Sequence, residues 1–237
     1  MKLNESVALV TGAGRGIGRA IATTLASHGT TVVLTARTWT ELETVRKEIE
    51  SHGGKTVSIQ ADITQDDQVE RLFNEVSSRF RRLDVLVNNA GFGLFAPVRD
   101  LSVGDFDSMW KLNVRALFLC TQKALKLMEP QKSGIIVNIS SLAGKNAFIG
   151  GAGYSATKWA LMGFSKTLML EVREHNIRVI TICPGSVDTS FSQQERNSAR
   201  SGKILHPQDV ADTVLAAMTM PERAMVSEID IRPTNPK

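Results

Sequence analysis

Short apolar runs and longer amphipathic stretches alternate along the whole chain. The runs are "SVALVTG", "TTVVLTA", "KTVSIQA", "LDVLVNNAG", "GIIVNIS", "NIRVITICPG" and "MVSEIDI". They are rich in β-branched residues and mostly continuous in hydrophobicity, as strands buried on both faces are. The stretches between them predict helices over 16–28, 41–54, about 64–80, 102–128, 153–175 and beyond Pro207. Local signals mark the ends. Gly53 and Gly54 close the second helix. Thr64 reads as an N-cap, with Asp66 and Asp67 in the first turn, where the helix dipole favours anions. "SVGD" at 102–105 resembles a capping box opening the long fourth helix, and Pro130 follows its predicted end.

Strict alternation of strand and helix implies an α/β Rossmann fold. It is a doubly wound parallel sheet of seven strands, with helices on both faces and right-handed crossovers. No linker or repeat interrupts it, so residues 1–237 read as a single domain for dinucleotide binding and catalysis. Ligands of such sheets bind beyond the carboxyl ends of the strands. The polar stretch "DTSFSQQERNSARSGK" leaves the sixth strand at that edge without a clear period. Residues 186–205 are therefore the candidate substrate lid.

Composition narrows the function classes. A hydrophobic content of 42% supports a full core. No apolar run reaches the length of a membrane span, and the first strand starts too early for a signal peptide. A cytoplasmic protein without a membrane partner is expected. Cys120 and Cys183 lie in apolar runs and read as buried thiols, and the four histidines form no cluster, so no disulfide or metal is expected. The net charge of +4 is spread among acids, with no basic stripe interleaved with aromatics. Nucleic acid is not an expected partner; a mild field drawing in an anionic cofactor is.

Three pieces carry candidate chemistry. The first strand–helix turn reads "TGAGRGIG", with Gly12, Gly16 and Gly18. Glycines let backbone approach a pyrophosphate, and the following helix N-terminus offers N–H groups; taken alone, the turn could also be tight packing. At the end of the second strand, where a cofactor held by its ribose diol would want an acid, Ala36 stands before Arg37. Arg37 and Arg15 could hold a 2′-phosphate by bidentate hydrogen bonds, which favours NADP(H) over NAD(H); otherwise both are solvated. In "GYSATKWALMGF", Tyr154 and Lys158 stand at i and i+4. On a helix they share a face, and a lysine there can favour the ionised phenol. In isolation, such a spacing is usually an ordinary surface pair.

Together with "AD" at 61–62, "NNAG" at 88–91, "KLNV" around Asn113, "SS" at 140–141 and "PGSVDT", these pieces resemble the short-chain dehydrogenase/reductase family over nearly the whole chain. The resemblance is to 3-oxoacyl-[acyl-carrier-protein] reductase-like members. It implies that Tyr154 gives a proton to a carbonyl oxygen and that Lys158 lowers its pKa and binds the nicotinamide ribose. It implies that Ser141, rather than Ser140, polarises the carbonyl, and that Asn113 holds a water in a proton relay. A local kink or hydrogen bond is the other account of an Asn in that apolar helix. Asp62, with Ile63, would meet adenine; Ile17 would join the glycine turn; Asn89, Ala90 and Gly91 would line the adenosine side. Pro184, Gly185, Val187 and Thr189 would pass the nicotinamide. Asn88 and Asn89 could otherwise form only a strand-end turn.

The implied reaction is hydride transfer between a nicotinamide and a small carbonyl or alcohol substrate, in the reducing direction from NADPH. A 3-oxoacyl thioester is one expected substrate, with an acyl carrier protein as partner. Such reductases usually end in a G-x-x-x-x-x-D-G-G-like tail, whereas this chain ends "MVSEIDIRPTNPK". An acidic carrier would need a basic patch beside the site, for which Lys126, Lys132 and Arg173 are candidates. Leu94, Phe95, Ala143, Phe148 and Phe191 would form a mostly apolar pocket, suited to a small ketone more than to a sugar or polyol. A dinucleotide-sensing scaffold is the alternative from outside enzymology. The long helices over 102–128 and 153–175 are apolar on more than one face, so a homodimer or homotetramer is expected.

Overall fold

Alternate residues of the first strand enter different cores, and this fixes the layering. In β1 (Val7–Thr11), Ala8 and Val10 pack into one cluster while Val7 and Leu9 pack into the other. The computed structural model describes residues 3–191 and 203–235. Its sheet continues with β2 (Thr31–Ala36), β3 (Lys55–Gln60), β4 (Val85–Asn88), β5 (Gly134–Ile139), β6 (Ile177–Pro184) and β7 (Glu228–Ile231). All pairings are parallel, in the order β3-β2-β1-β4-β5-β6-β7. Helices α1 (Gly16–Ser27), α2 (Trp39–Ser51) and α7 (Pro207–Met218) cover the first face through Ile21, Leu25, Leu42, Val45, Ile49 and Val214. Helices α3 (Asp66–Phe80), α5 (Leu117–Gln131) and α6 (Ala152–Val172) cover the second through Leu72, Phe73, Cys120, Met128 and Leu168. The order reverses between β1 and β4, which opens the crevice expected of a doubly wound sheet at their carboxyl ends.

The predicted helix over 102–128 is continuous but changes its winding. Helix α4 (Val103–Trp110) passes into a π-helical segment, Lys111–Ala116, before α5. Ser102 does cap α4, its Oγ accepting from the Asp105 N–H at 3.0 Å. Two local expectations are corrected. Thr64 is not the N-cap of α3; Gln65 is, without a side-chain cap, because the Thr64 hydroxyl donates instead to Asp62 Oδ1 at 2.8 Å. Pro130 lies inside the last turn of α5, where it gives no N–H to the helical ladder, and the helix stops just after it as Lys132 turns left-handed at φ 50°. Cys120 and Cys183 are buried free thiols, and burial pushes them up to about 12 and about 11 respectively.

Candidate active site

The glycine turn after β1 is built by steric need. Gly12 and Gly16 take φ of +65° and +56°, and Gly18 has no room for a side chain: a Cβ there would lie 2.2 Å from the Gly12 carbonyl oxygen. No side chain caps α1, since its N-cap Arg15 is extended and points its own side chain outward. The first-turn N–H groups of α1 are thus aimed over the turn, with the positive end of the helix dipole behind them. These features fit a pyrophosphate. Ile17 is half-buried behind them against the core.

Across the crevice, Asn89 braces the turn. Its Nδ2 donates to the carbonyls of Thr11 (2.9 Å) and Gly12 (3.2 Å), while Thr11 Oγ1 accepts from the N–H groups of Asn89 and Ala90. The Asn89 amide nitrogen is therefore spent on the protein itself. At the outer end, Arg37, Asp62, Gln60, Gln68 and Arg71 line a depression of about 330 Å³. Asp62 accepts from the Thr64 N–H and hydroxyl, which orients its carboxylate; Ile63 beside it packs in the core. Arg15 stands 3.7 Å from Glu41, whose side chain lies over Gly14. That carboxylate is a neighbour that sequence reasoning missed.

The residues at the carboxyl ends of β4 and β5 converge. Tyr154 sits in the first turn of α6 and is 8% exposed; Lys158, one turn on, is 5% exposed. Lys158 Nζ donates to the Ile139 carbonyl at 3.0 Å and lies 5.7 Å from the centre of the Tyr154 ring. Ser141 caps a short 3-10 turn, Leu142–Gly144, accepting from the Ala143 N–H at 3.1 Å, and its hydroxyl also reaches Tyr154. Ser140 is turned away, buried against Gly144 and Cys183. Burial pushes the Tyr154 phenol up to about 12, with the Ser141 hydroxyl pulling the other way, and pulls the Lys158 ammonium down to about 8. The phenol is thus raised by burial and not lowered as expected, and the Lys158 ammonium bonds the Ile139 carbonyl.

Asn113 lies within the π-helical segment and is 2% exposed. Its amide donates to the Phe92 carbonyl (2.8 Å) and Thr157 Oγ1 (3.1 Å), and its Oδ1 accepts from the Phe92 N–H (3.0 Å). The hydrogen bond offered as the alternative account of this residue is present, and the helix winds as a π segment around it; π-bulges are frequent at functional sites. Gly91 lies between the two groups: a Cβ there would be 3.1 Å from Asn113 Oδ1 and 3.7 Å from Lys158 Nζ. After β6, the Pro184 carbonyl faces the Ser141 hydroxyl at 3.5 Å, and the Gly185 N–H donates to Ile231 at 2.9 Å. Val187 bridges Leu205, and a Cβ on Gly16 would lie 3.3 Å from the Thr189 methyl. The candidate lid over 186–205 is therefore tied at its ends, while 192–202 lie outside the described residues.

Two features were not anticipated. A buried amide chain links both sides of the site: Asn88 Nδ2 donates to Thr121 Oγ1 and to Asn138 Oδ1, and Asn138 Nδ2 donates to Ser165 Oγ. Its signal was the lone asparagine within "GIIVNIS". The second is a correction. Lys126, Lys132 and Arg173 lie late in α5 or just after α5 and α6, leading into the starts of β5 and β6. That is the edge of the sheet opposite the site, so they form no patch beside it.

The chain is similar to known proteins along nearly its whole length. Residues 6–200 match the family model described as short chain dehydrogenase. An uncharacterized oxidoreductase of Staphylococcus aureus (strain USA300) is 37% identical over 231 residues, covering 98% of each chain. A 3-oxoacyl-[acyl-carrier-protein] reductase of Synechocystis is 37% identical over 234 residues, covering 95% of this chain and 94% of that one. Among solved structures, a metagenomic short-chain oxidoreductase in complex with NADP superposes with a TM-score of 0.87 at 37% identity, covering 99% of both chains.

Proposed function

The chain belongs to the short-chain dehydrogenase family, and from that premise we propose that it is an NADPH-dependent reductase converting a ketone to an alcohol. The observation that carries this reading is the meeting of half-buried Ser141 with buried Tyr154 and Lys158, with Asn113 one glycine away. When bound, NADPH supplies a hydride to the carbonyl carbon. Tyr154 holds its proton at neutral pH and delivers it to the carbonyl oxygen as charge develops there. Ser141 donates a hydrogen bond to the same oxygen. Lys158 keeps a positive charge beside the phenol and offers its ammonium to ribose hydroxyls. Asn113 fixes Phe92 and Thr157 around them and orders the proton path toward Lys158.

The glycine turn and the bare N-terminus of α1 suit the pyrophosphate, and the Arg37 and Asp62 depression suits the adenosine end. Arg15 and Arg37 are the phosphate readers that favour NADPH. The NADP complex of the metagenomic relative supports that choice. The Synechocystis relative favours a second reading, a 3-oxoacyl thioester as substrate with an acyl carrier protein as partner. Following NADPH consumption with an acetoacetyl thioester, a small apolar diketone and an NADH control separates the readings. Turnover of the thioester alone selects the carrier-linked one, turnover of the diketone alone selects a general carbonyl reductase, and turnover of neither rejects both.

Assembly follows from uncovered apolar side chains on α4, α5 and α6. Phe106 and Trp110 stack at 5.8 Å, and both are exposed along with Val103, Phe118 and Trp159. Such a patch suits a second copy of the chain, and we assign a homodimer through these helices, with a homotetramer as its extension. Among the described residues no helix is long and apolar enough to cross a membrane. A cytoplasmic location completes the reading.

A further inference from the structure

Three aromatic rings from three separate loops gather at Tyr154. Phe95 follows β4 and meets the tyrosine ring edge-on, with centroids 5.5 Å apart and planes at 78°. Phe191 follows β6 and lies 5.7 Å from it. Phe148 follows β5 and packs on Phe95 at 5.8 Å. Two glycines seat the group. A Cβ on Gly93 would come within 2.8 Å of Phe95, 3.0 Å of Tyr154 and 3.2 Å of Phe191, and one on Gly151 would lie 2.3 Å from the Phe148 ring. The collar therefore depends on backbone without side chains at two points.

These rings are not core residues. Phe95, Phe148 and Phe191 remain 43%, 47% and 40% exposed, and Leu94 and Ile149 beside them are exposed as well. An apolar mouth left open to water around a buried proton donor gains free energy when a ligand covers it. Its chemistry is also specific. Aromatic rings present electropositive edges and electronegative faces, and they discriminate a flat ring from a saturated one of similar size.

We propose that the substrate is a ketone carrying a flat aromatic group, held by Phe95, Phe148 and Phe191 while its carbonyl meets Tyr154 and Ser141. This rests on the reductase reading: the carbonyl carbon gains a hydride, its oxygen gains a proton, and NADPH becomes NADP⁺. The test compares benzylacetone with its cyclohexyl analogue, in which the ring is saturated and the carbonyl unchanged. Wild type should favour benzylacetone in kcat/KM by about tenfold, since each aromatic contact contributes about three- to tenfold. Phe95→Leu, which keeps apolar bulk, should bring the two ketones within about threefold. Phe148→Leu touches Phe95 and not Tyr154, so it keeps the test open if Phe95→Leu does not fold; it should narrow the preference in the same direction. Equal wild-type turnover of both ketones, or turnover of the acetoacetyl thioester with neither ketone reduced, overturns the inference and leaves the reductase reading standing. Turnover of no carbonyl at all overturns the reading and the inference with it.

Discussion

Tyr154 and Lys158 are both withdrawn from water, and burial drives their proton affinities in opposite directions, the phenol to about 12 and the ammonium to about 8. Over the working pH range the tyrosine stays protonated, and the lysine is the group that titrates. Because a lowered lysine pKa means the charge is lost as pH rises through that value, kcat/KM for carbonyl reduction should fall as pH passes about 8. The pH profile of kcat/KM, which reports groups of the free enzyme, checks this; a first decline only near the tyrosine's value would remove Lys158 from the role. Tyr154→Phe should lower kcat by at least about 100-fold while NADPH still binds, as measured by nucleotide fluorescence. At the other end of the crevice, Arg37→Ala should raise the KM for NADPH by about tenfold or more and leave that for NADH unchanged, a charge-assisted phosphate contact being worth about 1.5–3 kcal/mol. Equal effects on both nucleotides would mean that Arg37 reads no phosphate. The pair at 154 and 158 was legible because helical spacing fixes which side chains share a face. The balance of their proton affinities was not, because burial depends on residues brought in from β5 and the loop after it.

Elements were legible where one signal dominated. The seven apolar runs became seven strands, since continuous β-branched segments leave little choice of partner or face. The long helix over 102–128 was legible in extent but not in winding. Its π-helical segment arises where Asn113 turns inward to bond Phe92 and Thr157, contacts made across distant sequence. The amide chain through Asn88 and Asn138 has the same origin. Asn138→Ala should destabilise the protein by about 1–3 kcal/mol in urea unfolding, because the Asn88 amide and Ser165 hydroxyl would be left buried with fewer partners. An unchanged midpoint would mean that the chain does not hold β4, β5 and α6 together. In the glycine turn, Gly18→Ala should cost about 1–3 kcal/mol through overpacking against the Gly12 carbonyl, and should weaken NADPH binding with it.

For the whole molecule, the parallel sheet brings the glycine turn after β1, the asparagine turn after β4, Ser141 after β5 and Pro184 after β6 to one edge. The same topology sends the basic residues near the ends of α5 and α6 to the opposite edge, which alternation along the chain could have told in advance. The apolar surface of α4–α6 belongs to this scale too: Trp159→Glu should shift the mass seen by light scattering toward the monomer, and a wild type already monomeric at micromolar concentration would contradict the assembly. The central claim concerns the crevice, and one measurement tests it most directly. Purified protein is given NADPH deuterated at nicotinamide C4 (both epimers in turn) with the thioester, the diketone and benzylacetone, and the alcohol products are weighed by mass spectrometry. A product carrying one deuterium at the former carbonyl carbon, from one epimer only and formed at least about 100-fold more slowly with Tyr154→Phe, is the predicted result. Unlabelled product from both epimers, or labelling that persists undiminished without the tyrosine hydroxyl, would contradict it.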